Sequence, residues 1–600
     1  MVTRAARLNR RPAGVPLAAA AAVGVGLLAF GLGVWRLMPG LGFWDTAEFQ
    51  TVLPVLGTAH PTGYPPYVVL GWLASIVLTP LGEPAFRVNL LSAILVGIGT
   101  GLTVDLVRRL TASLLLGIAA GLGMALTPIV WAIGTHADPH ALHFALLALI
   151  VWLLVRWEQA RRGSPMDPDV RPHDPPRPDR WLIAAAIVTG IATGNHSLTL
   201  LLGPPIVLFV LAVAPGILRN PRLIATCLAA AAIPAVLVRF EMVLRAGWLR
   251  APFVYADPST WDGFWYVTSG QQFHGWLTDP LGDWPRRIAD LTKITNLELG
   301  PLAPLVIVAF AVTAVRLPRY ALFSGTALFL TCFFNSVYPD GAIDRYYIGP
   351  ALFAWTWLAI LAAVFVEAIA GTLTGIVDPD DGPNDPIAAA MPSAPADPAS
   401  GADPGDHPLS GTEAPGVVGP RGGALGRLGL PTVVRAVALV LVAAILVGPS
   451  LLEVPQRATS VDRSGDRSAQ RWVDDLLTSV EPNAVIVSWW SYSTPLWYAT
   501  IVDGRRPDVT IIDDRTRLDC NLGDLDHVIA LYLATRPVYL IRNGDSELGA
   551  LAGRYVVSPI RAASASNVLQ VTPVAGALDR GTPGGPAGLA GARQPCEDVQ

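Results

Sequence analysis

The chain has 600 residues, 52% of them hydrophobic and 15% charged, with a formal net charge of -4. That composition excludes an ordinary soluble protein, and the absence of a basic-aromatic patch leaves no reason to expect a nucleic-acid partner. Several apolar runs are long enough to cross a ~30 Å hydrocarbon core, which needs about 20 residues, so a polytopic membrane protein is expected.

Arg4, Arg7, Arg10 and Arg11 precede an apolar run from about Pro16 to Leu37. The run is too long for a typical signal-peptide core and has no small-residue cleavage site at its end. It reads as a first transmembrane helix that leaves the cytoplasm. The outer segment that follows, Leu41 to Pro66, carries Asp45, Glu48, His60 and Tyr64 among Pro and Gly. Two carboxylates three residues apart share a face if the segment is helical. A carboxylate beside a low-dielectric boundary can have its pKa raised, which suits it to take a proton. The alternative is structural: Asp45 as an N-cap, with Glu48 completing a capping-box-like start.

Tyr67 to Leu81 is apolar but short and aromatic. The next run, Val88 to Val107, ends in Arg108 and Arg109. The bias of Lys and Arg toward cytoplasmic loops places these inside only if Tyr67–Leu81 does not span, so that segment is expected to be juxtamembrane or re-entrant. A third helix, about Ala112 to Ile133, delivers His136, Asp138 and His140 outside. A fourth, Ala141 to Trp157, returns to a loop with Arg161, Arg162, Arg171, Arg177 and Arg180. A fifth rises from Trp181 to Asn195 and His196; a sixth, Leu198 to Ala214, descends to Arg219 and Arg222. After a seventh, Leu223 to Val238, comes a long outer loop with the aromatic run Trp261 to Tyr266 and His274, the run reading best as an interfacial belt. An eighth ends at Arg316 and Arg319, a ninth rises to Asp340, Asp344 and Arg345, and a tenth descends through Glu367.

From 377 to 430 the composition turns to Pro, Asp, Gly, Ala and Ser, which reads as a disordered cytoplasmic linker. An eleventh helix, within 431–452, then places the remainder outside. There Ala484–Trp490, Asp508–Ile512 and Val538–Ile541 read as strands, with helices at Ala469–Val480 and Leu525–Thr535: an extracytoplasmic α/β domain over 453–575, followed by a disordered tail at 576–600. The four cysteines, Cys227, Cys332, Cys520 and Cys596, lack metal-type spacing. This threading puts Cys520 and Cys596 in one oxidising compartment. His136 and His140 have a metal-compatible spacing, but Pro139 breaks a helix there and a third ligand is missing, so neither a metal nor another cofactor is expected.

The threading gathers the polar groups on the outer side. The helices carry almost no charge at mid-depth, which disfavours an ion-coupled transporter and suggests chemistry at the outer membrane surface. Asn195 and His196 read either as site residues or as a helix cap, and Asp344–Arg345 as a structural ion pair or a phosphate clamp.

Trp44-Asp45-Thr46-Ala47-Glu48-Phe49, then Ala59-His60-Pro61-Thr62-Gly63-Tyr64-Pro65 and Arg87-Val88-Asn89-Leu90-Leu91-Ser92, resemble the signature of the protein O-mannosyltransferase-like family of GT-C glycosyltransferases. Gly194-Asn195-His196, Pro495-Leu496-Trp497-Tyr498 and Gly504 to Val509 resemble further blocks of it. The resemblance covers roughly the first 240 residues and Glu481–Asp513. It implies a GT-C-like membrane domain over 1–376 and a catalytic base in the first outer loop, where Asp45 is the matching position. It also implies a polyprenyl-phosphate sugar donor, with a mannose-like hexose. The acceptor is expected to be a hydroxyl of a protein or envelope glycan, in the plasma membrane. Glu48 is expected to orient Asp45 or the acceptor. His60, Tyr64, Asp138, His140, Asn195, His196 and Arg345 are expected on the substrate side, with His60, His196 or Arg345 holding the phosphate. The chain has Asp138 and His140 where the family tends to have Glu and Tyr, and it lacks the C-terminal repeats of eukaryotic members, so acceptor identity does not carry over. A lipid-sugar binding or translocating protein without catalysis, or a membrane scaffold for a partner, are the competing readings.

Overall fold

The computed structural model describes residues 15–162, 178–280, 282–338, 341–377, 430–541, 545–562 and 564–574. Arg4 to Arg11, Arg171, Arg177, Asp340, the linker at 378–429, Cys596 and the tail lie outside them. The chain divides into two compact units, 1–362 with 443–600, and 363–442. In the second unit only the ends of two helices, Ile348–Val377 and Leu430–Leu452, are described.

Eight helices build the part of the first unit that carries the chemistry: α1 Val15–Trp35, α2 Trp44–Val52, α3 Pro65–Val77, α4 Pro84–Thr111, α5 Leu114–Ala125, α6 Pro128–Ile133, α7 Pro139–Arg162 and α8 Asp179–Asn195. Pro at the first turn starts α3, α4 and α6, where a missing N–H costs nothing. Helices α1 and α4 pack backbone to backbone: a Cβ at Gly26 would stand 2.7 Å from the Gly97 carbonyl oxygen, and the reverse is equally close. Small residues at a membrane interface allow this approach, where packing must replace the hydrophobic drive of water.

Seven helices among the described residues are long and apolar enough to cross a membrane. An eighth span is formed if Trp284–Leu302 and Leu305–Arg316, bent by 79°, count as one. The expected eleven are therefore not all full spans. The third is split into α5 and α6, the fifth is α8, and the sixth is a short apolar helix over Ser197–Val213. Helix α3 has 13 residues, or roughly 20 Å at 1.5 Å per residue, well short of a ~30 Å core. Three charged residues of these helices, Arg109, Arg156 and Glu298, are buried toward the helix ends. Arg109 is neutralised locally by Asp105, and Glu298 accepts from the Ile129 N–H at the start of α6.

The C-terminal residues fold into a five-stranded sheet: β1 Val485–Val487, β2 Thr510–Ile512, β3 Val538–Ile541, β4 Tyr555–Pro559 and β5 Val568–Pro573. The order is β2-β1-β3-β5-β4, with β1 parallel to β2 and β3, and β5 antiparallel to β3 and β4. The first strand is shorter than its apolar run suggests because Trp490 begins a helix, Trp490–Trp497. The last two strands carry no strong sequence signal: β4 is largely exposed.

Alternation along β1 decides what the sheet rests on. Val485 and Val487 join the core under helix Leu525–Leu533. Ile486 joins a second core with Trp472 and Leu476 of helix Ser468–Ser479, and that core also contains Leu41, Ala47 and Ala85. One hydrophobic core thus runs from the sheet into α2 and the head of α4. Two hydrogen bonds reinforce it, from Thr51 Oγ1 to the Thr494 carbonyl at 3.4 Å and from the Ala85 N–H to the Tyr498 hydroxyl at 3.2 Å. The helix that carries Asp45 is held between the membrane bundle and the α/β domain.

Candidate active site

Asp45 is the second residue of α2; the N-cap position is Phe43, and no side chain caps that end. The N-cap reading of Asp45 is therefore corrected. Its carboxylate is free to face outward and meets the Arg345 guanidinium at 3.3 Å. Arg345 also reaches Asp138 at 3.2 Å, so one cation bridges two carboxylates from distant segments. Arg345 does not pair with Asp344, the partner expected from adjacency. Successive residues of the short 3-10 helix Ile343–Tyr347 are turned about 120° from each other, so the two side chains diverge.

Glu48 lies one turn beyond Asp45 and is fully buried, while the Asp45 side chain keeps 34% of its exposure. Glu48 accepts from the backbone N–H of His60 and pairs with His60 Nδ1. Tyr64, in a left-handed conformation at φ 47° just before α3, sets its hydroxyl 3.3 Å from His60 Nε2. Phe49 packs edge-on against Tyr64 and Tyr67, which fixes this side of the site.

Asp138 is buried just before α7. Its carboxylate accepts from the His140 N–H and from His140 Nδ1, both at 2.8 Å, and His136 Nε2 stands 3.6 Å away. The two histidines whose spacing suits a metal thus both turn toward one carboxylate. Asn195 and His196 end α8: Asn195 Nδ2 donates to the Pro139 carbonyl at 3.1 Å, and the Leu198 N–H donates to His196 Nδ1 at 3.2 Å. The His196 ring lies 4.7 Å from that of His140 and 5.1 Å from that of Tyr346. All nine residues singled out from sequence are thus near one another, in two linked groups: Asp45, Glu48, His60 and Tyr64, then Asp138, His140, Asn195 and His196, with Arg345 bridging. His274 stands apart, bonded to the Ser269 carbonyl. The aromatic run forms helix Trp261–Ser269, whose Tyr266 hydroxyl accepts from Arg515 of the α/β domain.

The electrostatics differ from the sequence expectation. Burial pushes the Asp45 carboxyl up, but His60 and Arg345 outweigh it, and the net shift is below the ordinary carboxylate value. Asp138 is held well below that value, with His140 and Arg345 overcoming burial. Burial raises Glu48 against the opposing pull of His60. Burial would lower His60, but Glu48, by charge and hydrogen bond, and then Asp45 raise it to about 9. At neutral pH the site therefore holds an ionised Asp45 and a cationic His60.

A network that sequence reading left out fixes the spacing of the two acidic segments. Gln50, fully buried on α2, accepts from the Gly42 N–H at 2.9 Å and donates to the Gly40 carbonyl and Asn89 Oδ1, each at 2.9 Å. Asn89 on α4 donates to the Met38 carbonyl at 3.0 Å and accepts from the Ala137 N–H at 2.9 Å. Ser92, one turn on, accepts from the Asp138 N–H at 3.1 Å and bonds Tyr67 at the same distance. Asn89 and Ser92 are polar positions in an otherwise apolar helix, and that was the available signal.

A cavity of about 540 Å³ opens over Asp45, lined by Met38, Trp44, His136 and Arg345 and, from the segment leading into the α/β domain, Arg463 and Asp466. Asp45, Glu48 and His60 place one ligand atom each within 4.8 Å of one another, the one grouping among the described residues that could hold a metal ion. An ion held there would have to displace the hydrogen between His60 and Glu48, because a metal ligand must be deprotonated.

Residues 45–215 match the family model described as the protein O-mannosyl-transferase TMEM260 N-terminal domain. The chain is 30% identical to mouse (Mus musculus) protein O-mannosyl-transferase TMEM260 over 257 residues, 42% of this chain and 31% of that protein. It thus spans about a third of the relative's length. Among solved structures, ArnT from Cupriavidus metallidurans bound to undecaprenyl phosphate superposes with a TM-score of 0.53 at 14% identity, over 96% of this chain and 99% of that one. Its apo state gives 0.51 over the same shares. The fold of this multi-pass membrane protein is GT-C-like, as the motif resemblance implied.

Proposed function

We propose that the chain is an inverting membrane glycosyltransferase that moves a mannose-like hexose from a polyprenyl-phosphate donor to a hydroxyl acceptor at the outer membrane surface. The observation that carries this reading is the Asp45–Arg345–Asp138 bridge, with Asp45 the one member of the three that is both acidic and open to the cavity. The family match over residues 45–215 supports the sugar, and the lipid named in the ArnT structure supports the donor class.

In this mechanism the acceptor hydroxyl enters the cavity over Asp45 and attacks the anomeric carbon. The new C–O bond forms as the bond to the lipid phosphate breaks, which inverts that centre. The hydroxyl proton passes to Asp45. Held ionised by Arg345 and His60, Asp45 is a ready acceptor that takes the proton late, when the attacking oxygen has become acidic. Charge builds on the departing phosphate, and Arg345 and protonated His60 are the cations beside it. Glu48 keeps His60 charged and oriented. Asp138 holds Arg345 from behind and so fixes its reach toward Asp45.

The test is transfer of labelled sugar from polyprenyl-phosphate mannose by the purified protein, with envelope glycans and a Ser/Thr-rich peptide as acceptors. Acceptor-dependent transfer supports the proposal. Tight donor binding without transfer to either acceptor, or to water, would move the reading to a lipid-sugar binding protein.

A further inference from the structure

Beside the Asp138–Arg345 pair, three polar atoms are buried with no hydrogen-bond partner among the described residues: His140 Nε2, His196 Nε2 and Asn195 Oδ1. The residues are 3%, 3% and 0% exposed. Buried groups of this kind are rare because each gives up its bonds to water, so three in one cluster call for a ligand.

Their second atoms determine what each of the three wants. His196 Nδ1 accepts from the Leu198 N–H, so it carries a lone pair, and the ring proton sits on Nε2: a donor. His140 Nδ1 faces the Asp138 carboxylate at 2.8 Å, so it carries a hydrogen, and Nε2 on the far side of the ring is left for a ligand. Asn195 Nδ2 is spent on the Pro139 carbonyl, which leaves Oδ1, an acceptor. The cluster offers a donor at His196 and an acceptor at Asn195, with the unpartnered His140 Nε2 beside them.

That set is wrong for a phosphate, whose oxygens only accept and would face the lone pairs of Asn195 Oδ1. It suits hydroxyls, which donate and accept through one oxygen. Tyr346 supplies an aromatic wall, with its ring 5.4 Å from His140 and 5.1 Å from His196. An aromatic face beside mixed donors and acceptors matches a sugar ring, apolar on its C–H face and polar at its rim. We infer that His140, His196 and Asn195 form a subsite for hydroxyls of the donor's sugar, leaving the phosphate to Arg345 and His60. This rests on the lipid-phosphate-sugar reading above and removes His196 from the phosphate contacts expected from sequence.

The experiment compares binding of two probes, polyprenyl phosphate and polyprenyl-phosphate mannose, to the purified full chain and its variants. The wild type should bind the sugar-bearing lipid more tightly. His196→Leu should reduce that preference by roughly 3- to 10-fold, the worth of a neutral hydrogen bond, with affinity for bare polyprenyl phosphate unchanged. His196→Gln, which can still donate, should restore part of the preference, and with Asn195→Ala it carries the comparison if a leucine variant does not fold. Arg345→Leu should weaken both probes alike. Equal loss of both probes in the His196 variants would mean that the cluster holds phosphate, and no change in either would mean that it holds no ligand; both overturn the inference. A wild type that binds neither lipid defeats the donor reading itself, and that outcome is visible before any variant is made.

Discussion

At the scale of single residues, the pairing of charges sets the chemistry. Asp45 was expected to be a raised-pKa base, yet Arg345 and His60 hold it low, so its activity should survive well into the acid range. His60 has the opposite sign: its charge is complete below its unperturbed value near 6.5 and is lost as pH rises through about 9. Turnover is therefore expected to be flat from about pH 5 to 8 and to fall around pH 9, and a His60→Gln variant should abolish the basic limb together with most of the rate. A rate profile of kcat at saturating donor checks this; a limb unchanged by that substitution would remove His60 from the mechanism. Metal removal belongs to the same scale. Because His60 must lose a proton held by Glu48 before it could ligate, EDTA is expected to leave transfer unchanged, and loss of activity restored by a divalent ion would contradict the charge assignment.

At the scale of elements, α2 is positioned from both sides, and each side predicts a different failure. Gln50→Leu leaves the Gly42 N–H without a partner, at a cost of about 1–3 kcal/mol, and removes one hydrogen bond each from the Gly40 carbonyl and Asn89. The variant should melt earlier in a thermal-shift assay, and Asn89→Leu alongside it should be less than additive because the two share one network. Trp472→Ala opens the core between sheet and α2 and should cost about 3–5 kcal/mol. Additive losses for Gln50 and Asn89 would show that they do not act as one network. Helices also show why part of the site was legible and part was not. Asp45, Glu48, His60 and Tyr64 fall within one short stretch, so spacing and local motif expose them. The partner of Asp45 lies 300 residues away, and nothing in the sequence around Arg345 separates Asp344 from Asp138 as its mate. The breaks in the third and eighth apolar runs were hidden for a related reason: hydropathy records composition, whereas the bend depends on what the helix meets.

At the scale of the whole molecule, the α/β domain and the candidate site share one core, so the sheet sits on the same membrane face as Asp45. An oxidising compartment is expected on that face, where a disulfide would persist. Membrane-impermeant maleimide should label a Leu518→Cys variant, at an exposed position of the same domain, in intact cells, and labelling only after the cells are opened would place the site on the cytoplasmic side. The element order of the sheet's first three strands was readable because their apolar runs are bounded by turn residues. The two antiparallel strands that complete it were not, since their pattern is half polar and their pairing spans a turn of weak propensity.

The most direct measurement of the central claim is a matched pair of assays on wild type and Asp45→Asn: binding of polyprenyl-phosphate mannose, and single-turnover transfer of its sugar. The substitution keeps volume and the Arg345 contact while removing proton affinity. Loss of a general base costs ~10²–10⁴-fold in rate. The account predicts a folded variant that binds the donor as the wild type does and transfers at least 100-fold more slowly, a factor at the low end of that range. Wild-type turnover by Asp45→Asn would contradict it and move the base to Glu48 or Asp138.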